Sequence, residues 1–161
     1  PGFTIGKVEK TLGLRGNPST ELLFDDCIVP AQNLLKDGEQ RKVLMGLNIA
    51  RCGNAAVSLG LAQGAFDEAR RYAQTRSAFE HPISAFQTIR FMLADMATEI
   101  HAARLLTHRA ASLKDSSSGT GDFAKEASMA KLYASEMCNR VAYRAVQIRV
   151  LVIHDFAPLR M

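Results

Sequence analysis

One long helical pattern constrains the fold of this chain more than any other feature. From about Glu39 to Thr75, apolar residues recur every three or four positions, which is the period of an α-helix. Such a helix is on the order of 50 Å long. One face of it carries small residues, namely Gly46, Ala50, Gly53, Ala56, Gly60 and Gly64. Because each helical glycine costs about 0.5–1 kcal/mol relative to alanine, we expect a neighbouring helix to approach this face closely.

Two further helical patterns follow the first. Ser84 is the candidate N-cap of a second helix, which ends near Lys114. A third helix begins at Asp122 or Phe123, after a Ser/Gly-rich surface loop at 115–121. Three long helices with short connections predict an antiparallel bundle. The small face of the first helix indicates an incomplete four-helix bundle, whose open side takes a fourth helix or a subunit partner.

The first 36 residues have a different pattern. Phe3, Ile5 and Val8 suggest one strand and Glu21–Phe24 another, with a Gly/Asn/Pro turn between them. Two or three strands do not form a stable sheet alone. We therefore predict a mainly α chain with the end of a β domain at 1–36, a helical bundle at 37–148 and a tail at 149–161. Because the chain does not begin with Met, we expect it to be a fragment of a longer protein.

The charge distribution argues against nucleic acid as a partner. The net charge of the 161 residues is +4 and the pI is about 9.2, but no block of Lys or Arg occurs. A basic surface also suits an anionic ligand such as a nucleotide phosphate. No segment of the sequence is long and apolar enough to span a membrane.

Cysteine and histidine spacing excludes two other kinds of site. Cys27, Cys52 and Cys138 are far apart and form no CxxC pair, so we expect reduced thiols in a cytosolic or organelle-matrix setting. The four histidines show no metal-ligand spacing, and we predict no metal site.

The junction between the first two helices carries an arginine and an aromatic residue. An arginine where one helix ends and another begins can reach a phosphate that neither helix binds from its side. Judged on position alone, Arg76 is better explained by the helix dipole, Phe79 as a core residue and Gln87 as a solvated amide.

Short segments along nearly the whole chain resemble the acyl-CoA dehydrogenases, in the same order. The matching segments are LGLR at 12–15, STEL at 19–22, FDD at 24–26, LGLAQ at 59–63, TR at 75–76, AF at 78–79, LADM at 93–96, ARLL at 103–106, KEA at 125–127, MAKL at 129–132 and AVQI at 145–148. The first three are similar to the end of that family's middle β domain, and the others to its C-terminal helical domain.

This resemblance implies an FAD-dependent oxidation of acyl-CoA to 2-enoyl-CoA. It implies that Arg76 meets the FAD pyrophosphate across a subunit interface, that Phe79 lies beside the cofactor, and that Gln87 and Gln147 lie near its adenosine part. It further implies a homodimer or homotetramer, electron-transfer flavoprotein as the acceptor, and a bacterial cytoplasmic or mitochondrial matrix location.

The match to the family ends after Ile148. The family's glycine turn and its Tyr-Glu-Gly-Thr-like motif, which holds the usual catalytic glutamate, are absent. Some family members place the base on the first helix, but Ala50 occupies that position. We therefore assign no catalytic residue and expect the fragment to be inactive, with 149–161 arising from a shifted reading frame or an artefact. The alternative function is a non-catalytic helical module for oligomerisation or binding.

Overall fold

The computed structural model describes residues 1–36, 39–116 and 123–150, and the side chains of the first helix from residue 43 onward. The elements in chain order are β1 (Phe3–Val8), β2 (Thr20–Phe24), α1 (Glu39–Thr75), β3 (Ser77–Ala78), β4 (His81–Pro82), α2 (Gln87–Ser116) and α3 (Ala124–Val150). The chain divides into two compact units, Pro1–Gln40 and Arg41–Met161. The predicted mainly α fold, with a helical bundle after a short β segment, is confirmed.

The first unit is built on one antiparallel strand pair. Phe3 lies opposite Phe24 and Ile5 opposite Leu22, with an irregularity before Val8. The rings of Phe3 and Phe24 are 5.3 Å apart, yet both side chains remain exposed. Gly2 closes the pair at a φ of 82°, where a Cβ atom would lie 2.4 Å from the carbonyl oxygen of Asp25. So small a sheet buries little apolar surface, as expected for two strands.

The core of the second unit lies among the three helices. Most of the large buried side chains, which include Met96, Ile100, Met137, Val141 and Ile148, come from α2 and α3, and Ile83 joins them from the turn before α2. The buried residues of α1 in this core are all alanines, at positions 55, 62, 69 and 73. Larger side chains of α1, namely Leu59, Phe66 and Tyr72, also pack against the core but are only partly buried.

The predicted helix boundaries agree for α1 and differ slightly for the other two helices. Ser84 is not an N-cap, because Ile83–Ala85 form a 3₁₀ turn and Phe86 has extended backbone before α2 begins at Gln87. Helix α3 continues through Arg149 to Val150. Residues 117–121 of the predicted loop, the candidate helix start at Asp122 and residues 151–161 of the predicted tail lie outside the described part of the chain.

The glycine face of α1 meets no neighbour within the described part of this chain. A Cβ atom added at Gly46, Gly53, Gly60 or Gly64 would have no atom within 4 Å other than those of the adjacent residues and of the helix's own nearby backbone. The expected helix contact on this face is thus not made inside the bundle, and packing by another helix or subunit stays a prediction. Within the same described ranges, no helix is both long and apolar enough to cross a membrane.

Candidate functional site

The junction between α1 and α2 is a closed hairpin. The backbone N–H of Arg76 donates to the carbonyl of Tyr72 at 2.9 Å, which continues the helical pattern past Thr75. The carbonyl of Arg76 then accepts a 2.8 Å hydrogen bond from the N–H of Ile83. Ser77 pairs with Pro82 and Ala78 with His81 across the two short strands. The half-buried Arg76 therefore stands at the base of a defined hairpin.

The tip of this hairpin has an unusual backbone. Phe79 and Glu80 have φ values of 53° and 66°. Positive φ at both central residues is typical of a type I′ turn, which favours Asn and Gly. A residue other than glycine in this region costs about 1 kcal/mol or more. Strain of this kind is often found at functional sites.

Phe79 is presented to solvent by this turn. Its side chain is 88% exposed, so the interpretation of Phe79 as a core residue is wrong. The ring packs edge to face with Phe86, with centroids 6.3 Å apart. This pairing supports the side of the ring without burying it. The hairpin thus combines a cation at its base with an outward aromatic surface at its tip.

The two glutamines lie at the same end of the bundle as the hairpin. Gln87 is exposed and opens α2, directly after Phe86. Gln147 is half-buried near the end of α3, two residues before Arg149. Arg149 reaches α1, where its guanidinium lies 3.2 Å from Glu68 and 5.3 Å from the centre of the Tyr72 ring. Three of the four predicted residues share one junction, and Gln147 lies on the helix that Arg149 joins to it.

A small open hollow lies beside this junction. It is lined by Glu68, Arg71, Tyr72 and Thr75. Arg71 forms a close ion pair with Glu68, and the Thr75 hydroxyl donates to the Arg71 and Tyr72 carbonyls. These groups satisfy one another, so the hollow offers no separate catalytic arrangement.

A second charged cluster, which sequence reasoning missed, lies on the α2–α3 contact. Arg140 and Arg144 donate to Glu99 at 2.8 and 2.6 Å, and Arg144 also pairs with Asp95 at 3.6 Å. Burial raises the pKa of Glu99, but hydrogen bonds from Arg144 and Arg140 and their positive charges outweigh it and lower the pKa. The signal was present in the sequence, as an acidic pair and a basic pair each spaced by four residues.

The remaining ionisable groups give no sign of another centre. Burial raises the pKa of Cys52. The positive charge of Lys114 lowers that pKa, but its effect is the smaller of the two. Burial also raises the pKa of Cys138. Raised pKa values disfavour the reactive thiolate. Among the described residues, no group of three or more His, Cys, Asp or Glu could hold a metal ion.

Known proteins share this fold and close to half of the aligned residues. A protein-family model described as "Acyl-CoA dehydrogenase, C-terminal domain" matches residues 41–149. The mitochondrial short-chain specific acyl-CoA dehydrogenase of Mus musculus is 45% identical over 150 residues, which are 92% of this chain and 36% of that protein. The "Caffeyl-CoA reductase-Etf complex subunit CarC" of Acetobacterium woodii is 46% identical over 91% of this chain and 38% of that protein.

A solved structure agrees with these relatives. Butyryl-CoA dehydrogenase from Megasphaera elsdenii superposes with a TM-score of 0.84 at 41% identity, over 92% of this chain and 39% of that one. The chain therefore spans somewhat more than a third of the length of the proteins that it matches. The family match, the sequence identities and the superposition all agree, and the chain belongs to the acyl-CoA dehydrogenase family, with residues 41–149 matching its C-terminal domain.

Proposed function

We propose that the whole protein is an FAD-dependent acyl-CoA dehydrogenase, oxidising acyl-CoA to 2-enoyl-CoA, and that this chain supplies part of its FAD site and subunit interface. The observation that carries the proposal is the α1–α2 hairpin, which holds Arg76 at its base and presents Phe79 outward at its tip. Bound FAD would supply the acceptor for the substrate hydride.

The side chains at this end of the bundle suit the parts of FAD. A guanidinium is always charged and can bind phosphate oxygens in a bidentate way, so Arg76 would hold the pyrophosphate. The exposed ring of Phe79 would pack against the planar part of the cofactor. Gln87 and Gln147 would contact the adenosine part, because an amide both donates and accepts hydrogen bonds.

No residue of the chain is assigned as the catalytic base. Ala50 cannot take a proton. Glu99 is bound by two arginines, and its lowered pKa makes it a weaker base than an ordinary glutamate. We therefore expect no dehydrogenation by this chain alone.

The proposed partners follow from the relatives and from the open face of α1. Acyl-CoA is the proposed substrate, and electron-transfer flavoprotein is the proposed electron acceptor, since one relative is described as a subunit of an Etf complex. The exposed glycine face of α1 would carry self-association into a homodimer or homotetramer. A mitochondrial relative and a bacterial one support a mitochondrial matrix or bacterial cytoplasmic location.

A non-catalytic module is the second candidate function. Two observations support it: the glycine face of α1 is open, and no residue of the chain is assigned as the catalytic base. In that case the bundle would oligomerise, or bind the adenosine end of FAD, without taking part in oxidation.

Titration of the chain with FAD, followed by flavin fluorescence, tests the cofactor site. We expect saturable binding that Arg76→Ala weakens by at least about tenfold, the loss of one charge-assisted phosphate contact. The matched control is Arg109→Ala, an exposed arginine on α2 about 33 Å along the helix from Gln87. Equal affinity of both variants would refute the role of Arg76.

Turnover with octanoyl-CoA, FAD and an artificial electron acceptor tests the expected inactivity. We expect no rate above that of free flavin. A measurable rate that is absent without the chain would contradict it and would require a base among the residues present.

A further inference from the structure

The tip of the Arg76 hairpin carries an exposed carboxylate beside the proposed cofactor contact. Glu80 follows Phe79 directly and holds a φ of 66° in the two-residue turn. The carboxylate of Glu80 is exposed, and among the described residues no cation pairs with it. Its charge is therefore not neutralised locally.

We propose that Glu80 limits the affinity of this site for the diphosphate of FAD. The proposal rests on the proposed function, in which Arg76 holds that diphosphate. The closed hairpin keeps Glu80 on the same rigid element as Arg76, because the Ile83 N–H bonds to the Arg76 carbonyl at 2.8 Å. An anionic ligand that binds to Arg76 is therefore repelled by the negative charge of Glu80 at the tip of the hairpin.

The expected size of the effect follows from the length of the hairpin. Because the chain reverses at Phe79 and Glu80, only two to three residues of strand rise, at about 3.3 Å each, separate Arg76 from Glu80, which places their backbones within roughly 10 Å of each other. Repulsion between one carboxylate and a doubly charged group about 10 Å away, in water, weakens binding about fourfold. Salt screens this repulsion, with a Debye length of about 30 Å at ~0.01 M and about 3 Å at ~1 M. The affinity of the wild-type chain should therefore depend less on salt than that of a variant without the charge.

The test compares the FAD dissociation constants of the wild-type chain, Glu80→Gln and Glu80→Lys at low and at molar salt. Glutamine has nearly the shape of glutamate and does not relieve the positive φ, so Glu80→Gln isolates the charge. The matched control is Glu136→Gln, which removes an exposed carboxylate about 20 Å along α3 from Arg149.

At ~0.01 M salt we expect Glu80→Gln to bind FAD about fourfold more tightly and Glu80→Lys about fifteenfold more tightly. At ~1 M salt all affinities should converge, and Glu136→Gln should match the wild-type chain throughout. Equal binding by Glu80→Gln and wild type would overturn the proposal, and so would a gain that molar salt does not remove. If neither the wild-type chain nor any variant binds FAD, the proposed cofactor role fails and this inference fails with it.

Discussion

Helices α2 and α3 contribute large, fully buried side chains to the core, whereas the fully buried residues of α1 are alanines and its larger core side chains, such as Phe66 and Tyr72, are only partly buried. Met96 of α2 and Met137 of α3 are fully buried. At the solvent-exposed edge of the same contact, Glu99 of α2 accepts hydrogen bonds from two arginines of α3. The alanines of α1 bury little surface each, and polar contacts supplement them. Arg104 donates to Gln63 at 2.7 Å, and Arg149 pairs with Glu68.

This difference indicates that the α2–α3 contact mainly stabilises the chain, whereas α1 is suited to assembly. Burial of methionine and branched side chains contributes about 1.5–3 kcal/mol for each side chain, which suits a self-sufficient helix pair. The inner face of α1 packs through buried alanines and partly buried larger side chains, and its outer face carries glycines that no described residue covers. We therefore expect the α2–α3 pair to dominate the stability of the chain. We expect the stability of α1 to depend more on whether another helix or subunit packs on its glycine face.

The largest expected effect is that of Met137→Ala at the α2–α3 contact. Removal of a fully buried methionine should lower the free energy of unfolding by about 3 kcal/mol, because it leaves a cavity. Met129→Ala on the same helix is the control, since Met129 is 46% exposed, and should change stability by less than about 0.5 kcal/mol. Urea denaturation followed by circular dichroism measures both. Similar losses for the two variants would show that this contact is not the main core.

Glu99→Gln should have the second-largest effect, and that effect should depend on pH. The folded pKa of Glu99 lies below its ordinary value, so its contribution to stability is present above about pH 4.3 and is lost as the pH falls through the folded pKa. With a side chain only 19% exposed, we expect a loss of about 1–2 kcal/mol near pH 7. Thermal melts from pH 7 to pH 2 should converge with wild type at the acid end. A loss that stays constant with pH would contradict the ion-pair explanation.

Gly53→Ala on the open face of α1 should act in the opposite direction. Alanine in a helix interior should raise the stability of the monomeric chain by about 0.5–1 kcal/mol, since no neighbour would clash with the new methyl group. The same change should weaken self-association, which sedimentation measures, if another helix packs closely here. Ala50→Gly is the reciprocal control and should destabilise the monomer. Destabilisation by Gly53→Ala at low concentration would show that this face is already packed.

The smallest effect is expected at the ion pair that joins α1 to α3. Glu68 and Arg149 have side chains 40% and 54% exposed, so solvent screens their attraction. A double-mutant cycle with Glu68→Gln and Arg149→Gln should give a coupling of about 0.5 kcal/mol or less. If this coupling were as large as the effect of Glu99→Gln, the polar contact between α1 and α3 would be as strong as the one between α2 and α3, and the proposed difference between them would be wrong.

Prediction from the sequence succeeded where structure is local. The apolar period of α1 indicated its bounds, since repeating small and apolar residues define a helix without knowledge of its neighbours. It failed at Ser84, because an extended Phe86 separates the 3₁₀ turn from α2. It also could not show that Phe79 is exposed, because a turn formed by Phe79 and Glu80 contains neither Gly nor Asn to indicate positive φ.

The sequence by itself determined the helices, the short β segment and the resemblance to the acyl-CoA dehydrogenases. These depend on residue order and local periodicity, which are properties of neighbouring positions. Tertiary structure alone decided that Arg144 binds Glu99, 45 residues away, and that Gln147 lies on the helix joined by Arg149 to α1. Such pairs depend on the register of packed helices, and that register is set by how the buried side chains of several helices fit together.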